Sequence, residues 1–194
     1  MSSSARILTV CTGNICRSPF LERTLQSELD RSWGPGEVQV HSAGTGALTG
    51  SAMDPEARAR LEAQGYAANG FVARDLTADL VAGADLVLTA TRAHRGKVAA
   101  VHPRALRYVF AFREFADLVT GVSDDDLQVP SADAGEHIRR VVALAAAQRG
   151  ARPPLDDSEA DIVDPYRRAA EVFDQMTGQI MAALPTVARA LGRP

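Results

Sequence analysis

Cys11-Thr12-Gly13-Asn14-Ile15-Cys16-Arg17-Ser18-Pro19 gathers a thiol, a forked cation and a hydroxyl into one short segment. A phosphate-sized dianion is held by inward-pointing backbone N–H groups, the positive end of a helix and a bidentate cation. An apolar run, Ile7 to Val10, precedes the segment, and an amphipathic run, Phe20 to Leu29, follows it. That order predicts a strand, a tight loop and a helix, which together supply all three. Arg17 stands far enough after Cys11 for a compact loop to return its guanidinium over the thiol. Arginine also brings two parallel donors, where lysine brings a point charge. Gly13 allows a backbone conformation or close approach that other residues resist. Asn14 tolerates a left-handed conformation and can tie the loop internally. Ser18 can donate its hydroxyl to a Cys11 thiolate, which the helix end also favours. Cys11 is therefore a candidate nucleophile toward a phosphomonoester, with Thr12, Gly13, Asn14, Ile15, Cys16 and Ser18 as the candidate phosphate loop.

Such an attack needs a proton donor for the departing oxygen. Asp161-Ile162-Val163-Asp164-Pro165-Tyr166 offers candidates. Asp164 precedes a proline, so its backbone is pushed toward an extended form and its side chain can project from a loop. Tyr166 can flank an aromatic leaving group. Asp161 reads as a solvated loop charge, and Arg92, His94 and Arg95 read as one solvated helix face.

The elements that must position these residues alternate. Strands are predicted over 6–10, 38–42, 85–88 and 107–112. A helix is predicted from Ser18-Pro19, with leucines at 21, 25 and 29 forming its buried face. Asp54-Pro55-Glu56 marks a second helix start, and Gly65 its end. Thr91 to Val101 is a third helix. A long final helix is expected over 167–191, bent or interrupted near Pro185. Strands separated by helices imply an α/β fold with a parallel sheet covered on both faces. The stretch 121–160 departs from this rhythm. Ser123–Pro130 is acidic and irregular, and Asp133 with Glu136 resembles a capping box for a helix that runs to Gly150. This stretch reads as an inserted helix with two flexible arms, packing an extra apolar face onto the core.

The chain has 194 residues, 46% hydrophobic and 23% charged, so one domain with a sizeable core is expected over 1–194. A net charge of −3 argues against a nucleic-acid binder with a broad basic surface. Two cysteines are too few for a secreted disulfide scaffold, and the four histidines show no metal-ligand spacing, so no metal or cofactor is expected. No apolar run is long enough for a membrane span, and the N-terminus lacks a signal core, so a cytoplasmic location is expected.

The chain resembles the bacterial low-molecular-weight protein-tyrosine phosphatases. The likeness is carried by Cys11 to Pro19, Ser42-Ala43-Gly44-Thr45, Ala84-Asp85-Leu86-Val87-Leu88 and Asp164-Pro165-Tyr166. It implies a three-layer fold around a central, mostly parallel four-stranded sheet, plus the inserted helix at about 121–160. It also implies a phosphocysteine intermediate on Cys11, with Arg17 holding the phosphoryl group. Asp164 would protonate the leaving oxygen and then activate water. Asn14, Ser18 and Ser42 would shape the loop and stabilise the thiolate. Phosphotyrosine proteins are the implied substrates, and a bacterial tyrosine kinase for surface polysaccharide is one implied partner. Three departures stand out. Phe71, before Val72-Ala73-Arg74, replaces a histidine that often supports the loop asparagine. Leu48 stands near the place where many members have a tryptophan wall, in a loop one residue shorter. The 121–160 insertion is absent from typical members.

Four functions follow. Ile15, an apolar loop residue, favours aromatic esters and a tyrosine phosphatase. A protein-arginine phosphatase ranks second: Ala84–His94 looks like that branch, but its members tend to carry threonine at the Ile15 position. An arsenate reductase would need an external thiol, since no cysteine follows Cys16. A non-catalytic phosphoprotein binder or redox sensor would keep Cys11 and Arg17 without needing Asp164. Cys16 could pack, pair with Cys11 on oxidation, or both. The oligomeric state is left open.

Overall fold

The computed structural model describes residues 4–194. Its centre is a four-stranded, all-parallel sheet of order β2-β1-β3-β4, with β1 Ala5–Cys11, β2 Val38–Gly44, β3 Leu86–Thr89 and β4 Val109–Ala111. Ile7 pairs with Val40 on one side and Leu86 on the other, so β1 lies between both neighbours. The chain moves from β1 to β2 in one direction and then crosses back to β3. Ligands in open parallel sheets bind where strand order reverses in this way, beyond the carboxyl ends of the strands. Cys11 is the last residue of β1 and sits at that point.

Alternation along the strands divides the core. Ile7, Leu86, Leu88 and Phe110 join the larger cluster, with α1 (Arg17–Trp33), α2 (Pro55–Ala63) and the long final helix. Leu8, Val10, Val87 and Val109 face the smaller cluster with α3 (Ala78–Ala82), α4 (Arg92–Val101) and a 3-10 turn at Pro103–Arg107. Helices thus cover both faces, as parallel strands require. The leucine face predicted for α1 is fully buried. Asp54 caps α2 by accepting from the amides of Glu56 and Ala57.

Several elements differ from the sequence expectation. The predicted strand over 107–112 shrinks to Val109–Ala111, because the 3-10 turn occupies its start and Phe112 opens α5 (Phe112–Thr120). Within the acidic stretch, Ser123 caps one helical turn, α6 (Asp124–Leu127). The arms around α7 (Ala134–Gln148) are tied rather than loose. Arg140 donates to the carbonyls of Asp126 and Val129, and Arg92 donates to Leu155 and Asp157 beside α8 (Asp157–Ala160). Glu136 reaches the amide of Ala132, and Asp133 accepts from the amide of Glu136. As expected, α7 packs an apolar face, including Ile138, Val141 and Ala145, into the larger cluster. The final helix, α9, begins at Ala170 and runs to Leu191 without interruption at Pro185. Arg167 cannot open it, having a left-handed φ of 59°.

Gly44 ends β2 against the cysteine loop. A Cβ there would lie 2.4 Å from the Thr12 carbonyl oxygen and 2.9 Å from the Ala47 Cβ. Both neighbours belong to the same narrow seam, so neither can retreat freely. Gly44→Ala should therefore cost about 1–3 kcal/mol in denaturant unfolding. Gly46→Ala, into open space, should change stability by less than about 0.5 kcal/mol. Equal midpoints for the two variants would contradict the close approach at Gly44.

Candidate active site

The loop after β1 turns its carbonyls outward. Cys11 O accepts from Thr45 N, Thr12 O from Gly46 N, Gly13 O from Leu48 N and Ile15 O from Asp54 N. Among the described residues, none of the amides from Thr12 to Arg17 donates to a protein acceptor. A ring of amides left unpaired at the head of α1 is the electrostatic complement of a dianion. The segment 44–54 thus makes the loop a cradle by occupying its outer side.

Asn14 is the internal tie. It is fully buried with a left-handed φ of 54°. Its Oδ1 accepts from the Arg74 amide at 2.9 Å, which fixes the orientation of the side-chain amide. Its Nδ2 donates to Ser18 Oγ at 2.9 Å and Ser42 Oγ at 2.8 Å. Each hydroxyl accepts there and keeps its own proton. Ser42 spends it on Glu22 Oε2 at 2.5 Å. Ser18 has it free for Cys11 Sγ, 3.0 Å away. Support for Asn14 therefore comes from the Arg74 backbone and Ser42, while Phe71 is packed into the core. Gly13 is not the strained position: its φ is not left-handed, and an added Cβ would meet only Ile15 Cγ1 at an ordinary 3.6 Å.

Cys11, Thr12, Gly13, Ile15, Cys16, Arg17, Gly46, Leu48, Asp164 and Tyr166 line one cavity of about 130 Å³. Arg17 is buried, and its Nη2 meets Asp164 Oδ2 at 2.9 Å. Its Nη1 reaches the Ile162 carbonyl at 3.4 Å, and its Nε is buried without a partner among the described residues. The Asp164 carboxylate is 55% exposed, so this ion pair is screened on its outer side. Ile15 is buried at the floor, while Leu48 and Tyr166 stand partly exposed at the rim. Burial pushes the Cys16 thiol far above its ordinary range, and the negative charge of Asp54 adds to this. Both cysteines are free.

Two residues read as surface from sequence belong to this site. Asp161 Oδ1 accepts from the Arg92 amide at 2.8 Å, at the positive start of α4. Ile162 N donates to Ala90 O at 2.8 Å, so the chain bearing Asp164 is fastened beside β3. His94 is buried, with Nδ1 2.6 Å from Thr91 Oγ1 and Nε2 2.8 Å from Thr12 Oγ1. The available signal was Thr91-x-x-His94, an N-cap three residues before a ring able to turn back on it. Arg95 also leaves the solvated face to grip both oxygens of Glu114. Among the described residues no cluster of His, Cys, Asp and Glu could hold a metal ion. No helix there is long and apolar enough to cross a membrane.

A family pattern described as low molecular weight phosphotyrosine protein phosphatase matches residues 6–148. The chain belongs to this family. Its members are phosphoric monoester hydrolases. Over 167 residues the chain is 35% identical to the low molecular weight protein-tyrosine-phosphatase Wzb of Escherichia coli K12, spanning 86% of this chain and 82% of that one. The structure of Wzb from Escherichia coli K30 in complex with sulphate matches with a TM-score of 0.70 at 25% identity, covering 97% of this chain and 99% of the other. The YwlE arginine phosphatase from Geobacillus stearothermophilus matches with a TM-score of 0.66 at 25% identity, covering 95% and 90%. Asp164 lies beyond the stretch matched by the family pattern.

Two measurements probe this site. Asn14→Ala leaves the Arg74 amide unpaired and loses two further hydrogen bonds, so it should cost about 2–4 kcal/mol in denaturant unfolding. A loss below about 1 kcal/mol would mean the loop closes without Asn14. The second concerns pH. Burial lowers the His94 pKa from 6.5 to about 4, assisted by Arg17 and Lys97 and opposed by Asp164. The unfolded chain therefore binds the extra proton first, and stability falls as pH drops from about 6.5 to about 4. His94→Gln should flatten that decline. His41 and His137, shifted the same way by burial, remain in both proteins. Parallel stability curves would refute neutral burial of His94.

Proposed function

We propose that this protein hydrolyses phosphotyrosine in proteins through a phosphocysteine intermediate. The supporting observation is the convergence of Cys11, Arg17 and Asp164 on one small cavity. The substrate phosphoryl group enters the amide cradle and takes a share of the Arg17 fork. Cys11 Sγ, as a thiolate held by the Ser18 hydroxyl, attacks phosphorus opposite the ester oxygen. A P–S bond forms as the P–O bond breaks. Asp164, as the carboxylic acid, gives its proton to the departing phenolate oxygen. The resulting carboxylate then takes a proton from water as the water oxygen attacks phosphorus. The P–S bond breaks, the thiolate returns and inorganic phosphate leaves. Asn14, Ser18 and Ser42 keep the loop in shape through both steps.

Ile15, Leu48 and Tyr166 give the cavity apolar walls suited to an aryl ester. A protein-arginine phosphatase is the second reading, favoured by the likeness to the YwlE structure. Its leaving group is a planar cation, and Asp164 is the only carboxylate among the lining residues. Without a second acid to receive that cation, the tyrosine reading stands first. The partners are then phosphotyrosine proteins, a bacterial tyrosine kinase being one candidate, encountered in the cytoplasm.

Turnover of phosphotyrosine, phosphoserine and phosphoarginine peptides, measured side by side, separates these readings. Phosphotyrosine should give the highest kcat/KM. Cys11→Ser should abolish turnover, and Asp164→Ala should lower kcat by roughly 100-fold or more. Preference for phosphoarginine would install the second reading, and an active Cys11→Ser protein would end the covalent mechanism.

A further inference from the structure

We propose that the Thr12 hydroxyl is an additional phosphoryl-binding donor, armed by a directed hydrogen-bond chain that runs Thr91–His94–Thr12. The proposal rests on the reading of the cavity as a phosphatase site and adds to it a side-chain contact and the residues that orient it.

The direction follows from counting protons. Thr91 Oγ1 already accepts from the His94 amide at 3.2 Å, the N-cap bond of α4. It also lies 2.6 Å from His94 Nδ1. Thr91 is buried, and among the described residues its hydroxyl has no other acceptor. If Nδ1 carried the ring proton, the Thr91 oxygen would accept twice and its own proton would be stranded. Stranding a buried donor costs more than any gain from a second accepted bond. The satisfied arrangement has Thr91 donating to Nδ1. A neutral ring then carries its proton on Nε2 and donates it to Thr12 Oγ1, 2.8 Å away. Thr12 accepts this bond and retains its own hydroxyl proton.

That proton has somewhere to go. Thr12 is exposed and lines the same cavity as Cys11 and Arg17. It adjoins the outward carbonyl chain of the cradle through its own C=O, bonded to Gly46 N at 3.1 Å, so its backbone is fixed while its hydroxyl turns. Burial keeps the ring neutral, assisted by Arg17 from the head of α1 and Lys97 from α4, with Asp164 from the acid loop opposing them. A charged ring would donate from both nitrogens and force the Thr91 proton away. His94 is thus a positioning residue for Thr12 and touches no substrate atom itself.

The test combines spectroscopy with binding. 15N chemical shifts of the His94 ring in the wild-type protein at neutral pH should report the Nε2–H tautomer. Thr12→Val, which keeps the branched shape, should weaken inhibition by inorganic phosphate and lower kcat/KM for an aryl phosphate by roughly tenfold. Thr12→Ser should restore most of both. An Nδ1–H tautomer, or a Thr12→Val protein with unchanged phosphate inhibition and turnover, would overturn the proposal. Should the wild type fail to turn over aryl phosphate, the phosphatase reading falls. The tautomer and phosphate affinity, measured by titration, would still decide the role of Thr12.

Discussion

The site depends on holding one buried asparagine in a backbone conformation that L-residues avoid. A left-handed residue other than glycine costs about 1–2 kcal/mol, and Asn14 offsets this with three hydrogen bonds to groups fixed by other elements. Arg74 holds its oxygen, Ser18 belongs to α1 and Ser42 to β2. The three anchors join the head of a helix, a strand and the segment after α2. The cradle is therefore closed by tertiary structure and would not persist in the isolated peptide. The same bonds leave the Ser18 proton for Cys11, so folding and thiolate stabilisation use one network.

Around that tie, the packing serves two ends. The outward carbonyls are satisfied by amides from residues 45–54, and the close seam this requires explains Gly44. The sheet order puts the loop at a topological switch point, where β1 has a neighbour on each side and a helix begins directly beyond it. Trp33 donates to the Leu191 carbonyl at 2.9 Å, locking the far end of α1 to the end of α9. The helix whose dipole faces the cavity is thus secured at both ends.

Much of this was legible in the residues. Cys11, Arg17 and the loop between them announce a phosphate cradle, and the extended backbone before Pro165 places Asp164 on a projecting loop. The leucine spacing of α1 and the caps of α2 and α4 are local signals, and local signals survive folding. Other features were hidden because they depend on distant partners. His94 sits in a run with Arg92 and Arg95 that looks like a wet surface, and only the approach of Thr12 makes it interior. Asp161 resembles a loop charge until the α4 terminus meets it. The short β4 was masked by α5, whose apolar residues at 112, 115, 116 and 119 carry a helical period with no cap residue to mark its start. Asn14 was legible as the residue able to turn left-handed and tie the loop, and it does both, whereas Gly13, the other permissive residue there, has an ordinary backbone.

The acid loop is fastened at Asp161 and Ile162, immediately before Asp164, to the start of α4 and to Ala90. Those bonds reset the path of the chain whatever route it took from α5. Everything between the end of α5 and Asp161, including α6, α7 and α8, lies upstream of that reset. The exposed turns there can change length without carrying Asp164 away from Arg17, while the buried face of α7 stays bound to the core. Such a fold can acquire new outer surface, and with it new partners, while its chemistry stays in register.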